Sequence, residues 1–244
     1  MDDRFDYVVL ISANAEWRIA RSYFTRCEPS ISPYGEWFVQ LTNATNNIMK
    51  PVLFFHGGWG KVASAGATQY IISQWKPRLI INLGTCGGMK GLINRGNIVL
   101  AEKTIIYDIY EQMGDPEEHL RHYATAINTS WIIEPYPIQV RRTVLVSGDR
   151  DLFTQDIPIL KTRYGAIAGD WESGSIAWIA AKNHTMCLVL RGVTDLVDDE
   201  GGEAYNGRIN IFYENTASVM KTLIHSLPGW LSQFEHNYLG QNLK

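Results

Sequence analysis

Ala168-Gly169-Asp170-Trp171-Glu172-Ser173-Gly174, followed by Cys187-Leu188-Val189-Leu190-Arg191-Gly192-Val193-Thr194-Asp195, carries the clearest architectural signal in the chain. The first run places a carboxylate at a helix start. The second reads as a buried apolar strand that ends on an aspartate. In open α/β sheets, ligands sit outside the carboxyl ends of strands. Glu172 and Asp195 are therefore placed where working acids belong, and Glu16, just after the first apolar run, joins them.

Outward from that stretch, residues 7–12 are a buried first strand, and Asn14 caps a helix with Glu16 in its first turn. Segments 36–41 and 51–56 are strands joined by a polar turn, and 61–73 is a helix. Residues 79–83 form a strand ending in Gly84-Thr85-Cys86-Gly87-Gly88, a tight strand-to-helix turn. Strands at 97–101, 104–107 and 144–147 continue the pattern, with 115–126 helical or irregular. A helix at 171–181, the strand 187–193, an acidic loop at 198–207 and a helix at 209–227 stopped by Pro228 complete the chain. The alternation predicts α/β layers. Without a repeat or a linker, residues 1–244 read as one domain.

The 244 residues are 45% hydrophobic and 19% charged with a formal net charge of −3, so the basic footprint of a nucleic-acid binder is missing. No apolar run approaches the roughly 18 residues of a membrane span. Met1-Asp2-Asp3-Arg4 lacks the pattern of a secretory signal. Cys27, Cys86 and Cys187 are odd in number and widely spaced, which predicts a reducing, cytoplasmic location. His119-Leu120-Arg121-His122 has no third ligand at motif spacing, and Asp198-Asp199-Glu200 lacks the order of an EF-hand, so no metal is expected. Gly84–Gly88 is not a dinucleotide fingerprint and Gly57-Gly58-Trp59-Gly60-Lys61 is not a phosphate loop, so neither a dinucleotide nor a nucleoside triphosphate is expected.

Several short motifs occur in a fixed order: Ala15-Glu16, Gly58-Trp59-Gly60-Lys61-Val62-Ala63, Ile81-Asn82-Leu83-Gly84-Thr85-Cys86-Gly87-Gly88, Ser147-Gly148-Asp149, Asp170-Trp171-Glu172 and Arg191-Gly192-Val193-Thr194-Asp195-Leu196. Together, over about residues 7–227, they resemble the nucleoside phosphorylase superfamily, particularly its methylthioadenosine/S-adenosylhomocysteine nucleosidase branch. The resemblance implies a single-domain fold with a twisted mixed central sheet flanked by helices, assembled as a homodimer. It also implies hydrolysis of a purine–ribose N-glycosidic bond with neither metal nor cofactor. By the same resemblance Asp195 lies at the purine, Glu172 at the ribose hydroxyls and Glu16 near the attacking water.

Each acid also has an ordinary structural reading. Glu16 can stabilise a helix start, Glu172 can follow an Asp170 cap, and Asp195 can cap the next segment. Gly84 and Thr85 are expected to bring the backbone close to the nucleoside. Phe153 is a candidate base-stacking ring whose ordinary role would be core packing. Trp171 replaces the methionine usual beside the ribose, and either narrows the pocket or fills core space.

A nucleoside phosphorylase is the second reading. Many phosphorylases of the superfamily carry a phosphate-binding arginine where this chain has Asn82, and an amide cannot replace a guanidinium fork. Arg18 and Arg21 on the first helix leave phosphate binding open. Residues 107–129 and the segment through Phe212 depart from the nucleosidase pattern, which leaves the 5′ substituent open. A catalytically silent purine-nucleoside-binding paralogue is the third reading.

Overall fold

Tyr7–Ile11 (β1) is five consecutive fully buried residues, the pattern of a central strand covered on both faces. Tyr7, Val9 and Ile11 face a core built with helices α1 (Asn14–Tyr23) and α6 (Asn210–Gln233). Val8 and Leu10 face a second core with α2 (Gly60–Trp75) and α5 (Ser173–Lys182). The period-two alternation of strand side chains thus fills two layers at once. The computed structural model describes residues 4–45, 48–115, 117–198 and 200–240.

The remaining elements are β2 (Ser30–Ser32), β3 (Gly35–Thr45), β4 (Ile48–His56), β5 (Leu79–Met89), β6 (Ile98–Ile106), α3 (Glu118–His122), β7 (Ala124–Ala126), β8 (Arg141–Ser147), α4 (Ile157–Tyr164), β9 (Ala166–Asp170), β10 (Met186–Asp198) and β11 (Gly201–Gly202). They form one mixed sheet in the order β11-β10-β6-β8-β9-β5-β1-β4-β3-β2. β5 also pairs with β10, so β5, β10, β6, β8 and β9 close into a ring, with β1, β4, β3 and β2 extending from it. The expected α/β class and flanked mixed sheet hold, and the ring is an addition that no local pattern announced.

Several boundaries differ from expectation. Gly84–Gly88 is not a turn: β5 runs through it, with Gly87 and Gly88 paired to Gly169 and Ala168. A side chain at Gly88 would start 2.7 Å from both Ile93 and Val193, so these glycines let strands crowd rather than bend. The polar stretch 42–50 belongs largely to the β3–β4 ladder, and the two segments read at 97–107 form a single β6 with an irregularity between Ala101 and Lys103. β9, short and glycine-containing, went unread as a strand. Ala13, not Asn14, occupies the N-cap of α1.

Pro228 lies inside α6 and does not stop it. An interior proline costs a helix about 3 kcal/mol. Here Leu227, Trp230, Leu231 and Phe234 are buried on both sides of it, and that burial carries the helix through. Among the described residues, no helix is long and apolar enough to cross a membrane.

Candidate active site

A cavity of about 590 Å³ opens where β1, β5, β9 and β10 deliver their carboxyl ends and the segments that follow them. Glu16, Thr85, Trp171, Glu172 and Asp195 line it together. Glu16 arrives on the first turn of α1, and Glu172 occupies the N-cap of α5. Asp195 does not end its strand, because β10 continues to Asp198. A register shift between Val193 and Asp195 marks where the side chain is re-aimed.

Beneath the cavity floor lies Arg191, 1% exposed inside an otherwise apolar strand. Its Nε lies 2.8 Å from Asp170 Oδ2 and donates to Ser173 Oγ at 2.9 Å. Its Nη2 donates to Asn82 Oδ1 at 2.8 Å and lies 3.7 Å from Glu172 Oε2, while Nη1 lies 3.9 Å from Glu16 Oε1. One guanidinium therefore serves three buried carboxylates. A charge buried in this way is tolerated only when paired and hydrogen-bonded.

Each carboxylate is further held by its own donors. Glu16 Oε1 accepts from the Thr85 backbone N–H at 2.6 Å and from the Thr85 hydroxyl at 2.7 Å. Its Oε2 accepts from the Ala13 N–H at 3.2 Å, which closes the start of α1. Asp170 accepts from the Ser147 hydroxyl at 2.6 Å and from the hydroxyl and N–H of Ser173. Glu172 Oε1 accepts from the Gly60 N–H at the start of α2, at 3.1 Å.

The acids differ electrostatically. Burial pushes Glu172 up to about 8, opposed by Arg191 and the Gly60 N–H and reinforced by the nearby Asp170 and Glu16. Burial also raises Asp195 above the usual carboxylate range. The Thr194 hydroxyl, donating to it at 2.8 Å, opposes the rise, while the charges of Glu203 and Asp151 add to it. Cys86 lines the cavity too, and burial holds its thiol neutral.

The other expected site residues divide. Trp171 is 38% exposed and lines the cavity, so it is not core filling. Thr85 lines the cavity and holds Glu16. Gly84 does not line it: a Cβ there would lie 2.1 Å from Arg191 Nη1 and 2.9 Å from Glu16 Oε1. Its glycine makes room for the buried ion pair rather than for a ligand. Phe153 lies outside the lining as well, half-exposed with Arg150 stacked 4.3 Å over its ring, and Arg150, Asp151 and Leu152 line the cavity instead. The loop after β8 turns its aromatic outward, which no pattern within it signals.

Asn82 is fully buried, accepting from Arg191, with the Ser173 hydroxyl oxygen 3.0 Å from its Oδ1, and donating to the Leu10 carbonyl at 3.0 Å. It is a ligand of Arg191 and not a surface of the cavity. Arg21 turns away to Glu36 and the Cys27 carbonyl. Arg18 lines the cavity and makes no ion pair among the described residues. The motif that contains Arg191 does not by itself announce this role; a lone arginine within a buried apolar run is the available signal, since such a charge must find partners.

The match to a family model described as the phosphorylase superfamily covers residues 40–226, and the chain belongs to that superfamily. The branch it resembles within it is that of the methylthioadenosine/S-adenosylhomocysteine nucleosidases. Such a nucleosidase from Buchnera aphidicola subsp. Acyrthosiphon pisum is 25% identical over 187 residues, covering 72% of this chain and 81% of its own. One from Haemophilus influenzae is 25% identical over 189 residues, covering 73% and 82%. The crystal structure of the Helicobacter pylori nucleosidase with butyl-thio-DADMe-Immucillin-A matches with a TM-score of 0.73 at 17% identity, over 92% of this chain and 98% of that one. A futalosine hydrolase mutant from Helicobacter pylori matches at 0.68 and 16%, over 91% and 98%. At these identities the structural likeness speaks for the fold.

Proposed function

We propose that the protein is a nucleosidase that hydrolyses the N-glycosidic bond of an adenine-type nucleoside such as methylthioadenosine or S-adenosylhomocysteine. The observation that carries this reading is that Glu16, Glu172 and Asp195 line one cavity, each held by different donors. Asp195, whose burial favours the protonated acid, gives its proton to purine N7 as the C1′–N9 bond breaks. Glu172, once ionised, accepts hydrogen bonds from the ribose hydroxyls while positive charge grows on the sugar. Glu16, locked by Thr85 and Ala13, accepts a proton from the water that adds to C1′. Nucleoside and water yield free base and free sugar, and the proton taken up by Glu16 leaves to solvent while Asp195 regains one from it. The division of labour follows the two-carboxylate logic of glycoside hydrolysis.

Arg18 favours one alternative, phosphorolysis, because it is a cation on the cavity wall without an ion-pair partner among the described residues. The test is to incubate purified protein with methylthioadenosine, S-adenosylhomocysteine, adenosine and inosine, each with and without phosphate, and to separate the products. Base and free sugar are expected, independent of phosphate. Sugar 1-phosphate formed only with phosphate would make the protein a phosphorylase. Tight binding with no base released from any of the four would leave the silent paralogue.

We also propose that two copies of the chain associate. Trp59 and Val62 at the start of α2, and Tyr110 and Met113 after β6, are 64%, 86%, 81% and 96% exposed, which is costly for large apolar side chains left in water. Sedimentation velocity at micromolar concentration is expected to give the mass of a dimer; a monomer there would remove this assignment.

A further inference from the structure

We propose that Lys61, Asp108 and Asp149 form a positioning triad that holds the N-terminus of α2 against Glu172 and so sets the grip on the ribose hydroxyls. The inference rests on the ribose-binding role proposed above for Glu172. None of the three residues lines the cavity, so they act through the helix terminus and not on the ligand.

The contacts form a continuous chain. Lys61 Nζ pairs with Asp108 Oδ1 and lies 3.8 Å from Asp149 Oδ2. The Asp149 N–H donates to Asp108 Oδ2 at 2.8 Å, and Asp149 Oδ1 accepts from the Lys61 N–H at 2.7 Å. Asp149 thus sits on the positive pole of α2, a favourable place for a carboxylate. The neighbouring Gly60 has φ +75°, and a Cβ there would lie 2.7 Å from Asp149 Oδ1, so this close approach requires glycine. The Gly60 N–H is then aimed at Glu172 Oε1 at 3.1 Å.

Two further ties make the arrangement rigid. The Gly148 N–H donates to the Asp170 carbonyl at 3.1 Å, fastening the Asp149 loop to the end of β9, two residues before Glu172. Ser64 and Ser175 hydroxyls lie 2.6 Å apart and join α2 to the helix that Glu172 caps. The Lys61 side chain is 19% exposed and that of Asp108 10%, so solvent screens this pair less than a surface pair, while Asp149, at 40%, faces solvent. Without the ammonium, Asp108 and Asp149 are adjacent like charges. Asp149 then withdraws from the helix terminus, and Glu172 loses an N–H that favours its ionised form.

The test uses Lys61→Met and Lys61→Met/Asp108→Asn in the full-length protein, with the best ribonucleoside of the panel above and its 2′-deoxy counterpart. Losing one charge-assisted hydrogen bond at Glu172 corresponds to roughly a 10-fold or greater rise in KM. That rise is expected for the ribonucleoside in Lys61→Met, with a distinctly smaller rise for the 2′-deoxy compound, which keeps only one hydroxyl for Glu172. The low-pH limb of kcat/KM is expected to move to higher pH, because the carboxylate is less stabilised. The double variant, which removes the like-charge repulsion, is expected to recover much of the loss. Asp108→Asn alone keeps the Lys61–Asp149 pair and repeats the test at smaller amplitude should Lys61→Met not fold. Equal losses on both substrates, or no loss on either, would overturn the triad while leaving the nucleosidase reading intact. A wild-type protein that cleaves neither compound removes that reading and the triad with it.

Discussion

Asp195→Asn is expected to lower kcat by roughly 10²–10⁴-fold, the range typical of a positioned general acid. The leaving purine must take a proton at N7, and an amide has none to give at that pKa. The substitution is nearly isosteric, and the Thr194 hydroxyl at 2.8 Å can still donate to the amide oxygen, so the fold should survive. KM should move far less than kcat, since the lost interaction belongs to the transition state. The alkaline limb of the kcat profile should vanish with the residual activity, because the wild-type limb reports loss of the Asp195 proton. That proton is held above the ordinary carboxylate range by burial, so the limb lies to the alkaline side of an exposed aspartate's pKa. Steady-state rates across pH on both proteins, with circular dichroism as the folding control, check this. A variant within a few-fold of wild type would take Asp195 out of the chemistry.

Arg191→Met carries the largest expected effect on stability. Removing one partner from a buried ion cluster leaves uncompensated charge, which typically costs about 3–5 kcal/mol. Here Glu16, Asp170 and Glu172 all face the guanidinium, and Asn82 and Ser173 would lose it as a donor. The sign with pH is definite. In the variant, Glu172, already pushed up to about 8 by burial, loses the cation that opposes the rise, so its folded pKa lies still further above the unfolded one. Such groups favour folding below the unfolded pKa and lose that contribution as pH rises through the folded pKa. The gap between variant and wild type should therefore be wide at pH 7.5 and narrow toward pH 5. Urea unfolding at both pH values measures it. A gap of less than about 1 kcal/mol at pH 7.5 would mean that the cluster is held by something other than its cation.

Glu16, Glu172 and Asp195 were legible in the sequence from an ordered set of short motifs, whereas the continuation of β10 past Asp195 to Asp198 was not. Trp171 and Thr85 were legible for the same reason, and both line the cavity. Gly84 and Phe153 were not. Gly84 lies against a guanidinium delivered by a strand more than a hundred residues later, and the orientation of Phe153 depends on Arg150 and the loop that carries both. The turn expected at Gly84–Gly88 failed for a related reason. Glycine runs bend in isolation, but here β10 and β9 pair with this one and keep it extended.

Periodicity and motif order were enough to give the α/β class and to point to Glu16, Glu172 and Asp195, which line one cavity. These are local properties, set by side-chain polarity at fixed spacing. Tertiary structure alone decided the closure of β5, β10, β6, β8 and β9 into a ring, the passage of α6 through Pro228, and the place of Arg191 beneath three carboxylates. Those outcomes turn on burial and on charges brought together from distant segments. Neither the free energy of an ion pair in a low-dielectric interior nor the stability of a proline held by a packed helix face is written in any short window of sequence.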